Sequence, residues 1–250
     1  STLMGHSGEG FISGIAVFNY NVGAIFVIIF VSLFFLPFYI KSGIYTIPEY
    51  LGRRFDNRSR KYFSFITIIG NVFLDAGAAL YTGALILKII FPEIDMMWII
   101  IGMALMAGTY TIIGGLSSAI NADMIQSIIL IAGSVLLSIF CFNSVGGWEN
   151  FVEHFHDGVW LNLIRPNSDT TVPWFSIFLS IPILGFYFWG NNQVIVQRVM
   201  SAKTVNEGRL GFLFVAFLYV FTLFIFIAPG MVGRMIDLFG VGDTLPNEII

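Results

Sequence analysis

The sequence predicts an all-α integral membrane protein: six transmembrane helices and, ahead of them, part of one broken helix. Three observations carry this. Hydrophobic residues make up 57% of the 250 and charged residues 11%, against about 25% charged in a soluble domain, so the chain cannot cover itself with hydrated surface. Six stretches with little or no charge reach the length a bilayer demands, about 20 residues. Turn signals separate them, notably FPEID at 91–95, IIGGLSS at 112–118 and RPNSDTT at 165–171.

The elements follow in order. Residues 1–14 contain GHSGEG, flexible backbone at the head of an apolar run. They read either as a loop or as the end of a broken helix whose free backbone groups bind solute or ion. The first span, 16–40, carries Tyr20 and Asn21 in its outer part. The second, 62–88, contains one membrane-depth carboxylate, Asp75. The third and fourth, 96–114 and 120–143, are divided by the glycine-rich turn, with Asp123 at the head of the fourth. A polar segment, 144–172, holds Glu149, Glu153, Asp157 and Asp169 and is expected to include a short surface helix. The fifth span, 173–197, contains GFYFWGNNQVIVQR, and the sixth covers 209–233.

Lys and Arg set the orientation. Lys41, Arg53, Arg54, Arg58, Arg60 and Lys61 lie in loop 41–61, and Arg198, Lys203 and Arg209 in 198–209. The loops of opposite parity hold Lys88, Arg165 and Arg234. The first group is therefore expected in the cytoplasm and 144–172 outside, in a cell membrane. The chain begins STLMGHSG, without an initiator methionine or signal pattern, and stops at PNEII. It reads as an internal piece of a longer protein.

Composition also excludes. A net charge of −3 gives no reason to expect nucleic acid. One cysteine, Cys141, permits neither a disulfide framework nor a thiolate metal site. His6 has no second histidine nearby, so no metal site is expected. The spans hold no Ser–His or metal-ligand pair, and His6, His154 and His156 lie outside them, so no enzyme is expected.

Polar groups inside the bilayer are costly and therefore informative. Asp75 either stitches helices together by hydrogen bonds or lines a solute or ion path. Asp123 either caps the fourth span's first turn or offers a hard oxygen to a cation. In the fifth span, Pro182, Gly185 and Gly190 point to a break or kink between 182 and 190. Just beyond stand Asn191, Asn192 and Gln193, beside Tyr187, Phe188 and Trp189. On a regular helix Asn192 shares a face with Phe188, and Gln193 with Trp189. Amides plus aromatic faces suit a neutral polyhydroxylated solute.

Several stretches carry a resemblance. KSGIYTIPEYLGRRFDNRSR (41–60), YTIIGGLSSAINADMIQS (110–127), FWGNNQVIVQRVMSAKTVNEGR (188–209) and APG (228–230) resemble, in order, the sodium/solute symporter family of the sodium–glucose cotransporters. The NQ-x-x-x-QR form is most similar to the sugar-transporting branch. The resemblance implies a LeuT-type inverted-repeat transporter with its site near the midplane at broken helices. Residues 1–14 would then be the outer half of the first core helix, and the six spans core helices two to seven. It implies an aromatic inner closure at Phe188 followed by Trp189, and outer-gate positions at His6 and Tyr20. Asn21 stands where sugar-transporting members have a carboxylate, Thr2 where they have glutamine, Gly185 asparagine and Tyr219 lysine, departures that speak against the usual hexoses. Asp123 matches an aspartate of a second sodium site or exit path. The implied activity is sodium-coupled symport of a small polar solute, a sugar or polyol, with Na+ as the co-transported ion, the lipid bilayer as medium and no nucleic-acid partner. A carboxylate such as sialic acid, and a sensor domain fused to a kinase, are the alternatives.

Overall fold

The computed structural model describes residues 2–44, 46–155 and 159–239; His156, Asp157 and the PNEII end lie outside them. The described residues are helical apart from turns and one isolated bridge between Arg165 and Pro173. Five runs are long and apolar enough to cross a membrane. This is the outcome expected where no water can satisfy a backbone: each N–H and C=O must pair within its own segment.

The described residues divide into two compact units, one of 46–130 and the other of 2–44, 131–155 and 159–239. In the first, α3 (Ile47–Arg54) is started by Thr46, whose hydroxyl accepts from the Glu49 amide at 3.2 Å. Asp56 does the same for α4 (Asn57–Ile90), accepting from the Ser59 amide at 2.7 Å. The Ser59 hydroxyl and amide hold the Asp56 carboxyl below its usual range. Lys88 closes the turn after α4 by donating to the Pro92 and Ile94 carbonyls, each at 2.7 Å. Asp95 then caps the next helix through the Met97 amide at 2.8 Å.

That next helical run, Met96–Ser144, has 49 residues. A straight helix of this length would span roughly 70 Å, more than twice the hydrocarbon core. It is broken at Gly115, at φ 59° and ψ −152°, a region only glycine enters without strain. The result is α5 (96–114) and α6 (116–144), the division the glycine-rich turn predicts. The fourth span thus starts at 116 rather than 120, which puts Asp123 two turns inside α6. Capping of the helix start is therefore ruled out for Asp123.

In the second unit, α1 (Thr2–Ser13) is followed by a reversal at Gly14–Val17 and by α2 (18–41). Gly14 sits at φ +68°, where a Cβ would stand 2.5 Å from the Trp160 carbonyl oxygen. The remaining elements are α7 (Trp148–Phe155), which is the surface helix expected in 144–172, then α8 (Trp174–Asn191), α9 (Gln193–Met200) and α10 (Val205–Leu238). Two of this unit's apolar clusters bear on the site. Val17, Phe151, Phe155, Ile227, Met231 and Met235 form one, and Ile28, Leu36, Trp189, Phe212 and Ala216 the other.

Proline explains two of the helix distortions. Pro37 leaves the Leu33 carbonyl without its amide and Pro229 leaves that of Ile225; a π-turn precedes each, Val31–Phe35 and Leu223–Ile227. Neighbouring side chains service the loosened carbonyls. Arg209 donates to Ser32 at 3.3 Å and Leu33 at 3.4 Å, Ser138 to Phe224 at 2.9 Å and Ser7 to Phe226 at 2.7 Å. The interruptions are thus where α2 and α10 are tied to their neighbours.

The polar segment 159–173 fastens the reversal. Asn19 donates to the Leu163 carbonyl at 2.6 Å, and the buried Arg165 donates to the Ser13 carbonyl and to Asp169 at 3.0 Å. Partial burial pushes the Asp169 carboxyl up, but the Thr171 and Val172 amides and the Arg165 guanidinium together hold it below the usual range.

Candidate functional site

Reversal at Gly14 brings His6 of α1 back onto α2. Fifteen residues of unbroken helix would separate His6 and Asn21 by roughly 22 Å, yet His6 Nε2 and Asn21 Oδ1 are 3.0 Å apart. The same amide donates through Nδ2 to the hydroxyl of Thr222 on α10. Thr222 in turn donates to the Tyr219 carbonyl at 2.6 Å. Asn21 is 2% and Thr222 7% exposed, so this is a buried polar layer joining three helices. Close approach permits it: at Gly230 of α10 a Cβ would meet the Ser7 carbonyl at 1.9 Å. Phe226 tilts against the His6 ring at 6.2 Å. Tyr20, one position from Asn21, points away and is 39% exposed.

Sequence reading reaches His6 and Asn21 but not Thr222 or Ser7. The available signal is thin: one hydroxyl in the apolar run VFTLFIFIAPG, with a proline seven residues on.

The fifth span leaves regular helix twice. The first departure is at Leu179, at φ −108° and ψ −62°, ahead of the expected window. Then a π-turn covers Tyr187–Asn191, and Asn192, at ψ 118°, ends the helix. This changes what the amides do. The expected face shared by Phe188 and Asn192 does not form, nor the one shared by Trp189 and Gln193, because the spacing of four assumes regular helix. Asn192 caps α9, its Oδ1 accepting from the Val194 amide at 3.0 Å. Gln193 donates to Gln197 Oε1 at 3.3 Å. The carbonyl of Gly190, freed by the break, accepts from Tyr39 at 3.0 Å.

The two aromatics part company. Trp189 is buried against Phe212 and Tyr219, at ring distances of 6.2 and 5.5 Å, inside the second core. Phe188 meets it edge-on at 5.4 Å and is 45% exposed. So Phe188 presents an aromatic face outward while Trp189 anchors it.

The carboxylates lie in the first unit. Asp75 falls in a π-turn, Gly70–Ala76, that no proline follows, and its side chain is exposed. Single π-turns within helices concentrate at functional sites. Asp123 is half-buried on α6, and its carbonyl accepts from Ser127 at 2.7 Å. Among the described residues no group of three His, Cys, Asp or Glu stands close enough to hold a metal.

The pattern of the sodium:solute symporter family matches residues 1–246. The chain belongs to that family. Among relatives, it is 30% identical over 268 residues to sodium/glucose cotransporter 1 of Oryctolagus cuniculus, covering 98% of this chain and 40% of that protein. It is 32% identical over 243 residues to the sodium/glucose cotransporter of Vibrio parahaemolyticus, covering 94% of this chain and 45% of the relative. The chain therefore spans less than half the length of these relatives. A solved structure, the substrate-bound outward-open state of a Na+-coupled sialic acid symporter, superposes with a TM-score of 0.83 at 24% identity, covering all of this chain and 53% of its own. That likeness establishes the fold. A multi-pass membrane protein of the symporter fold is thus what the long apolar helices build.

Proposed function

We propose that the full-length protein moves a small polar solute, a neutral sugar or polyol, together with sodium by alternating access. The observation that carries this reading is the buried amide layer of His6, Asn21 and Thr222 in a family member. Burying an amide without partners costs several kcal/mol in a membrane, and an apolar side chain at 21 would avoid it. A hydroxyl-rich solute gives such a layer a purpose, since the amide can both donate and accept. The Tyr20 ring and Phe188 add faces on which a sugar ring can stack.

Neutral solute is favoured over carboxylate by chemistry: the layer of His6, Asn21 and Thr222 holds no lysine or arginine to pair with an anion. Residues 1–14 serve as the outer half of the first core helix, and the six spans as core helices two to seven. Asp123, half-buried in α6 and not a helix cap, serves the sodium path, and Asp75 in its π-turn lines the solute or ion path. His6 and Tyr20 form the outer gate, Phe188 the inner closure with Trp189 behind it, while Asn192 and Gln193 shape the end of α8. Sodium is cargo here. Its binding outside favours the solute-competent state, and by reciprocity solute tightens sodium.

The test is uptake by the full-length protein in proteoliposomes, with and without a sodium gradient, over glucose, galactose, mannitol, sialic acid and succinate. Sodium-driven uptake of a neutral compound is expected. Uptake indifferent to sodium for every compound overturns the reading, and uptake of sialic acid or succinate alone reassigns the solute. Sidedness is checked by cysteines at Arg58 and Glu149 in a Cys141→Ser background: the first should label only from the cytoplasm, the second only from outside.

A further inference from the structure

We propose that Thr222 is a positioning residue that sets which way round the Asn21 amide faces, and with it the hydrogen-bond polarity the solute meets. The inference rests on the reading of Asn21 as a solute contact. A hydroxyl has one proton, and that of Thr222 goes to the Tyr219 carbonyl, 2.6 Å away. Toward Asn21 it can therefore only accept. Of the two ends of the amide only Nδ2 can donate, so Nδ2 faces Thr222 and Oδ1 faces His6 at 3.0 Å. Oδ1 in turn only accepts, so His6 Nε2 carries its proton whether the ring is neutral or charged.

Polarity thus runs one way, from α1 through α2 to α10, and its direction is fixed at the α10 end by a backbone carbonyl that cannot reverse. What Asn21 keeps for a solute is one Nδ2 proton and one Oδ1 lone pair, in a set order. A sugar hydroxyl, both donor and acceptor, can use the pair. Without Thr222 the amide gains freedom to turn over, and the order is lost. A carboxylate at position 21 would have no proton to give, and Thr222 would have to turn from Tyr219 toward it. Asparagine at 21 and a hydroxyl at 222 are matched.

The experiment uses the full-length protein in proteoliposomes, with whichever of D-glucose, D-galactose or D-mannitol shows the highest sodium-driven uptake. Thr222→Val keeps the shape and removes the acceptor. It is expected to raise KM for that compound about 5- to 10-fold, the worth of one well-placed hydrogen bond, with the maximal rate and the sodium requirement within about twofold. Thr222→Ser should restore KM, and Thr222→Ala stands in if the valine variant does not fold. Because Thr222 acts through Asn21, adding Thr222→Val to Asn21→Ala should cost nothing further. An unchanged KM in Thr222→Val, or additive losses in the double variant, overturns the proposal. An unchanged KM in Asn21→Ala removes the solute contact itself while leaving symport standing. A readout independent of uptake covers failure of symport. In protein labelled with 15N-asparagine in nanodiscs, the Asn21 side-chain signals, assigned by their loss in Asn21→Ala, should shift between the wild type and Thr222→Val. Identical signals would refute the fixed orientation whatever the uptake shows.

Discussion

Asn21 and Asp75 are both polar groups set in long apolar helices, and the two units of the chain treat them in opposite ways. Asn21 is buried and bonded at both ends of its amide, with partners on two other helices. Asp75 is exposed on α4, a helix whose apolar window buries none of its residues, against 33% for the run containing Asn21. Glycine shows the same contrast. Gly14 and Gly115 take similar φ values, +68° and +59°, but a Cβ at Gly14 would strike the Trp160 carbonyl, whereas at Gly115 it would meet nothing within 4 Å. The unit around Asn21 buries its polar layer between helices and pairs it there. In the unit of residues 46–130 the helix starts carry caps, and most of the described helix positions are exposed or half-exposed.

Four predictions break or sharpen that contrast, and full-length protein in detergent or proteoliposomes serves for each. Gly14→Ala should cost the most, about 3 kcal/mol or more, because backbone strain adds to the clash with Trp160. Gly115→Ala carries strain alone, about 1–3 kcal/mol. Melting temperatures compared side by side decide it, and equal losses would show that packing does not distinguish the units.

Next comes Asn21→Leu, which leaves His6 and Thr222 facing an apolar group. About 2–3 kcal/mol should be lost, together with sodium-driven solute uptake. Asp75→Leu should leave stability within about 0.5 kcal/mol while lowering uptake. Were Asp75→Leu to unfold the protein, the aspartate would be a helix-to-helix stitch and not part of a path.

Asp123→Asn separates an ion role from a structural one. Its formal charge goes and its shape stays, so the sodium concentration for half-maximal uptake should rise several-fold at unchanged protein yield. A sodium requirement equal to the wild type's would remove Asp123 from the ion path.

The smallest effect concerns pH. Because the Asp169 carboxyl is held below its ordinary value, its bonds to Arg165, Thr171 and Val172 contribute fully above about pH 4 and are lost as pH falls through the lower folded value. On acidification from about pH 5 to about pH 3 the wild type should therefore lose more melting temperature than Asp169→Asn. Parallel curves would mean that Asp169 does not fasten the reversal.

Much of this could be read from residues alone, and the reason is physical in each case. The helices follow from apolar length, because a bilayer admits little else. Thr46, Asp56 and Asp95 start their helices by hydrogen bonds three residues long or less, a local signal that a reading of these segments as loop and turn does not use. Gly115 is legible because φ is a local property. Asn21 and His6 are identified as polar groups in apolar company, and the family resemblance implies an outer-gate position for His6 and a sugar-contacting position for Asn21.

What the sequence determined by itself, then, is what short-range physics dictates: membrane class, the long apolar helices, the breaks at Gly115 and between 182 and 190, and the polar positions worth attention. Tertiary structure alone decided the partners. It placed Thr222, 201 residues from Asn21, at the end of the amide. It put Trp189 in the core and left Phe188 outside, turned Asn192 into a cap and carried Asp123 inside a helix. Each depends on a π-turn or break of a residue or two, which rotates every later side chain by a large angle. No periodicity can reveal that, because the distortion is settled by which neighbouring side chain reaches the freed carbonyl.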